Sequence, residues 1–165
     1  MADDNGLYAD IEQGFIAAIA AIELDAVVVF AAVDSWQGQI KSLRDFQTSY
    51  PFAYVRCHTS KSAGDEGGEM SQTLTVDVEV GTYIATGSAR IGIGVSATDK
   101  ELGYSRLRDL VTAALNGVFV STTKANIEFP QYRGDRIVVD VSETGKEPFN
   151  CCKGTITFDV KEIGV

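Results

Sequence analysis

His58 is the only histidine of the chain, and it opens the run "HTSKSAGDEGGEMSQ" at residues 58–72. Ser60 and Ser62 follow it, then the carboxylates Asp65, Glu66 and Glu69. An imidazole near hydroxyls and carboxylates is the raw material of nucleophilic catalysis. That constellation is defined by geometry in space, however, and nearness in sequence does not supply it. Hard carboxylate oxygens suit calcium, yet the run lacks the alternating ligands and closing glutamate of an EF-hand. Its glycines suit a phosphate cradle, yet no lysine closes the pattern as in a P-loop. A zinc site wants several nitrogen or sulfur ligands. There is no second histidine, and Cys57, Cys151 and Cys152 lack the two-residue spacing of a zinc knuckle. His58 is therefore expected to be a non-catalytic histidine at a strand end, and the run a solvated loop between strands.

Four other stretches carry weaker signals. "GIGVSA" from Gly92 is half a dinucleotide fingerprint, without its third glycine or a strand–turn–helix around it. "RGD" at 133–135 has the form of an integrin tripeptide; in this acidic chain it is expected to be a hairpin turn, with Gly134 taking the unusual backbone angle. Trp36, in the polar run "DSWQGQ", either caps the core or anchors a contact. Arg106 and Arg108 in "SRLRD" either form local ion pairs on a solvated helix face or meet an acidic neighbour. Nothing assembles a nucleophile, a base and an oxyanion site, so no catalytic, metal or cofactor residue is assigned and no enzyme is expected.

The elements that must position these residues follow from patterning. The 165 residues suit one domain, 1–165, able to bury a core without staples. "LYADIEQGFIAAIAAI" (7–22) places Leu7, Ile11, Phe15, Ile19 and Ile22 on one helical stripe, with Asp3, Asp4 and Asn5 as caps before it. "AVVVFAAV" (26–33) is expected to be a buried strand or a weaker helix extension, and 34–51 a short helix or an irregular crossing. "FAYVRCHT" is a strand. "TLTVDVEVG" alternates strictly, with Leu74, Val76, Val78 and Val80 on one face and Thr73, Thr75, Asp77 and Glu79 on a wet face. Residues 85–98 form a glycine-bearing connection. Thr98 and Glu101 match a capping box before a second amphipathic helix bearing Leu107, Leu110, Val111, Ala114, Leu115 and Val118, closing near Gly117. "ANIEFPQY", "DRIVVDVSE" and "GTITFDVKEI" return to strand. The expected fold class is α+β: a mostly antiparallel sheet with two amphipathic helices on one face. Residues 59–70 are an excursion within a strand pair.

Composition sets limits on function. A net charge of −9 and a pI near 4.5 argue against a duplex-binding surface, which needs clustered Lys and Arg. An acidic surface can instead let DNA slide past. The longest apolar window is broken by Glu23 and Asp25, so no membrane span is expected. "MADDNG" lacks the basic region of a signal peptide, and three cysteines, two adjacent, fit reduced thiols better than a disulfide framework.

The order of these pieces resembles a known family. "LYADIEQGFIAAIAAI", a proline-introduced strand "YPFAYVRCHTSK" presenting a backbone edge, the alternating "QTLTVDVEVGTYIAT", the helix "GYSRLRDLVTAALNGVFV" and a closing β region look like the Mu-like tail-terminator proteins of contractile-tailed bacteriophages. Their fold is similar to that of the terminators of long flexible tails. The resemblance spans nearly the whole chain and rests on element order. It implies a homo-oligomeric ring, typically a hexamer, at the virion tail or neck. Such a ring caps the tail tube and sheath, ends polymerisation, and offers a platform to head–tail connector or neck proteins while DNA passes through the lumen. It brings no catalytic residues and no cofactor. Under this reading 58–72 is a docking arm: Lys61, Asp65, Glu66 and Glu69 give polar contacts and Met70 an adaptable apolar one, joined at the interface by Trp36, Arg106 and Arg108. The alternatives are a head-completion or neck connector protein of the phage, and a small ligand-binding domain or enzyme.

Overall fold

The computed structural model describes residues 4–36, 51–59, 72–83, 102–118, 120, 122, 127–139 and 151–162. In chain order these form α1 (Asp4–Ala20), β1 (Glu23–Leu24), β2 (Val27–Val28), β3 (Ala32–Ser35), β4 (Phe52–Thr59), β5 (Gln72–Tyr83), α2 (Tyr104–Leu115), β6 (Gln131–Val139) and β7 (Cys151–Glu162). The main sheet runs β3-β4-β5-β7-β6. β4–β5, β5–β7 and β6–β7 pair antiparallel, whereas β3–β4 is parallel. The fold is α+β, as the patterning predicts.

Alternation decides the faces. Leu74, Val76, Val78 and Val80 of β5 are fully buried, and so are Ile156, Phe158 and Val160 opposite them on β7. Each such side chain contributes about 1.5–3 kcal/mol. An exposed pair such as Arg133–Asp159 contributes at most about 1 kcal/mol. The apolar face therefore sets the register, because a one-residue slip would turn Asp77 and Glu79 into the core. Both helices cover this face. α1 lies over β3 and β4, placing Ile11, Phe15 and Ile19 in the core; α2 lies over β5, β6 and β7, placing Tyr104, Leu107, Val111 and Leu115 there. The edge of Phe15 meets Phe158 at 5.8 Å between centroids.

Several local expectations are corrected. α1 starts early enough that Asp4 and Asn5 fall inside its first turn rather than capping it; Asp3 lies outside the described residues. Residues 26–33 are not one buried strand. Glu23–Val28 instead make a two-residue hairpin in which Asp25 and Ala26 both take positive φ (51° and 65°), the I′ geometry that matches strand twist. Val27 and Val28 are left exposed. β3 then starts at Ala32 and pairs with Phe52–Val55, so the first half of β4 is an interior strand and not an edge. The second helix begins at Tyr104 after an extended Gly103 with no side-chain cap. The carbonyl of Leu102 is held by Thr82 Oγ1 at 2.6 Å, which keeps the chain non-helical there. Thr98 and Glu101, like the 85–98 connection and the doubtful 37–50, lie outside the described residues.

The RGD tripeptide is not a hairpin turn. It lies inside β6, where Tyr132 faces Phe158 and Gly134 faces Thr157, leaving Arg133 as the extra residue of a bulge with Gly134 at φ 147°. Gly154 has a different task. A Cβ there would come within 2.4 Å of the Tyr104 ring, so its missing side chain is the seat on which α2 rests.

Two substitutions check these assignments by urea unfolding. Ala26→Gly relieves left-handed strain and is expected to stabilise by about 0.5–1 kcal/mol, net of the glycine's backbone entropy. Gly154→Ala forces Tyr104 and α2 to shift and is expected to destabilise by about 1–3 kcal/mol.

Candidate functional site

The sheet face turned away from the helices carries the polar side chains of every long strand, with Phe52 and Tyr54 buried on it at the β4 end. Tyr54 and Arg56 of β4, Asp77 and Glu79 of β5, Thr155 and Thr157 of β7, and Arg136 of β6 form two rows across it. Two shallow hollows open on this face, of about 180 and 590 Å³. They share Asp77 and Thr155 and so form one trough. Trp36, Tyr54 and Arg56 bank one end, and Arg133 and Arg136 the other. The Arg56 guanidinium lies 5.2 Å from the centre of the Trp36 ring, and the Trp36 N–H extends the β3 ladder by donating to the Val55 carbonyl at 2.7 Å.

The carboxylates along the trough already have partners. Asp77 Oδ2 lies 2.7 Å from His58 Nε2, and its Oδ1 accepts from Thr157 Oγ1 at 2.8 Å. The carboxylate stands between the imidazole and the hydroxyl, so the histidine is not placed to take the threonine proton. Glu79 is held by Lys153 at 2.6 Å and Asp159 by Arg133 at 2.5 Å. Among the described residues, no three His, Cys, Asp or Glu side chains gather to hold a metal.

On the helix side, Glu12 of α1 finishes the sheet where β3 stops. Its carboxylate accepts the Cys57 N–H at 2.9 Å and the Ser35 hydroxyl at 3.1 Å. Burial, and then the charge of Glu12, push the Cys57 thiol up to about 12, which holds it as an unreactive thiol. At the other end of the sheet the bulge at Arg133 turns both Tyr132 and Asp135 inward, although three residues along a regular strand would separate their faces. Tyr132 Oη then donates to Asp135 Oδ1 at 2.7 Å and Tyr104 Oη to Oδ2 at 3.3 Å, with Arg108 at 3.7 Å. The bond to Asp135, with burial, raises the Tyr132 phenol. This knot ties α2 to β6.

The interface residues expected from sequence are separated by the fold. Lys61, Asp65, Glu66, Glu69 and Met70 lie outside the described residues. Trp36 is at the β3 edge, on the outer face. Arg106 and Arg108 are on α2, toward β6, where Arg108 is bound to Asp109 and Asp135. Four strand spacings of about 4.8 Å part the two edges, roughly 19 Å. Sequence reasoning passed over Arg133, read only as part of a turn, and Arg136, Glu23 and Asp25. A count of charge by segment exposes the pattern, because residues 1–40 contain no Lys or Arg at all.

No protein-family model and no curated protein matches the chain. A solved structure does. A chain of the virion of a native gene transfer agent (GTA) particle shares this fold. The match has a TM-score of 0.51 at 11% identity and covers 99% of this chain and 98% of that one. Such coverage means that the element order, and not one motif, is what the two chains have in common.

Cys57 yields a pH test. The unfolded thiol ionises near about 8.5 while the folded one keeps its proton to about 12. Between those values the unfolded state binds fewer protons, so stability falls as pH rises. Cys57→Ala is expected to flatten that fall between roughly pH 9 and 11 in urea titrations, while leaving the slope near neutrality unchanged.

Proposed function

We propose that this chain is a structural protein of a phage-like virion, and within it a tail terminator. It forms a ring, a hexamer by resemblance, that caps the tail tube and sheath, ends tail polymerisation and presents a platform for head attachment. The observation that carries this reading is the end-to-end likeness of fold to a virion chain at 11% identity. Two further features support it. The carboxylates on the trough face are already held by polar partners, Asp77 by His58 and Thr157, Glu79 by Lys153 and Asp159 by Arg133, as suits a contact surface better than a reacting one. Among the described residues, β6 pairs on one side only, and a bare strand edge is an aggregation hazard that a ring neighbour would cover. The acidic surplus suits a lumen through which DNA slides. The run between β4 and β5, residues 60–71, acts as the docking arm to neighbours or tube, since His58, Thr59 and Gln72 are paired in the sheet.

Electron microscopy and light scattering of the purified chain, with and without tail-tube protein, test the proposal. Rings, alone or on tube ends, are expected; a monomer that never assembles and never binds tubes overturns it. Labelling of isolated heads rather than tail ends would point to a neck connector instead. Removal of residues 62–69 is expected to leave a folded chain, by circular dichroism, that no longer assembles.

A further inference from the structure

The two edges of the sheet differ in charge and each carries an exposed apolar patch. Residues 1–40 hold seven of the 23 Asp and Glu residues and none of the 14 Lys and Arg, so the remaining 16 acids are nearly balanced by all 14 bases. That acidic stretch builds α1, the β1–β2 hairpin and β3, which together form one side of the molecule. At its surface the hairpin shows the carboxylates of Glu23 and Asp25 beside Val27 and Val28, 67% and 53% exposed. A short link holds the hairpin to this side: Val29 N–H donates to the Ile22 carbonyl at 3.0 Å, and β3 starts three residues later.

The opposite side is built by α2 and β6 and carries Arg106, Arg108, Arg133 and Arg136. The Arg133 side chain is 61% exposed. Here too there is an apolar patch. Gly117 N–H donates to the Pro130 carbonyl at 2.8 Å, which joins the segments carrying Val118 and Phe129; they are 40% and 53% exposed, and Val118, past the end of α2, lies outside the buried stripe expected of it. The patch lies at the start of β6, whose outer side pairs with no strand among the described residues, although the Tyr132 N–H donates to Asn116 Oδ1 at 2.9 Å. An exposed valine pair beside two carboxylates thus lies on the α1–β3 side of the sheet, and an exposed Val–Phe pair on the α2–β6 side, where the four arginines stand among Asp109, Glu128 and Asp135. Unlike, complementary patches on opposite sides of one chain are what a heterologous, head-to-tail contact requires.

We propose that the β1–β2 hairpin of one copy seats on the Val118–Phe129 patch and β6 edge of the next. Val27 and Val28 bury against Phe129, while Glu23 and Asp25 face Arg133 and Arg136. The occupant is a second copy because both halves of the contact, matched in charge and in apolarity, are on this chain. The inference deepens the ring reading and rests on it, by naming the surfaces through which neighbours join.

Two variants test it by sedimentation velocity over a concentration series, with and without tail-tube protein. Val27→Ser with Val28→Ser blocks the hairpin; Val118→Ser with Phe129→Ser blocks the patch. All four side chains are exposed, so thermal unfolding followed by circular dichroism is expected to match that of the native chain. Each variant alone is expected to associate about tenfold or more weakly than the native chain. An equimolar mixture of the two is expected to form dimers and nothing larger, because only one intact junction can form per pair. Association of the native chain is expected to weaken in high salt. If either variant assembles as the native chain does, or the mixture yields no dimers, this junction is wrong while the ring reading stands. If the native chain stays monomeric in both arms, both fall.

Discussion

The pairing of β5 with β7 is the constraint from which the rest of the molecule follows. Twelve residues of each strand face one another in unbroken register, from Gln72 opposite Glu162 to Tyr83 opposite Cys151. Leu74, Val76 and Val78 meet Val160, Phe158 and Ile156 on one side, and that side is fully buried. The opposite side receives Thr75, Asp77, Thr155 and Thr157, of which Thr157 donates to Asp77 at 2.8 Å. Everything else attaches to this ribbon: β4 and β6 on its two margins, α1 and α2 on its apolar face.

Small residues and single carboxylates adapt the helices to that ribbon. Gly154 leaves a seat for Tyr104, and Tyr104 in turn reaches Asp135, so one missing Cβ fixes where α2 can lie. Glu12 performs the corresponding task for α1, filling the place in the ladder that β3 is too short to reach. The bulge at Arg133 lets Tyr132 and Asp135 share a face and pushes a guanidinium outward to Asp159. Local departures from regular strand geometry thus produce both the internal tie and the external charge at the β6 edge.

The charge layout links this architecture to assembly. An acidic N-terminal quarter and an arginine-bearing far edge make the chain electrostatically polar across its sheet, although its net charge alone says only that it is acidic. In the proposed ring each copy meets its neighbours through two different surfaces, which such polarity suits.

By itself the sequence determined the faces of β5 and β7, the apolar stripes of both helices and the α+β class. Those depend on periods of two and of 3.6 residues, which are local properties of the chain. It also placed His58 near a strand end, and His58 is the penultimate residue of β4, with Nε2 2.7 Å from Asp77 Oδ2. Only the tertiary structure decided that Ala26 sits in a tight turn and leaves Val27 and Val28 bare, that β3 joins in parallel, that RGD is a bulge, and that Trp36 and Arg108 stand on opposite edges. Each of those outcomes depends on which strand lies beside which. Strand adjacency is settled by burial and backbone pairing between segments far apart in the chain, and no local pattern encodes it.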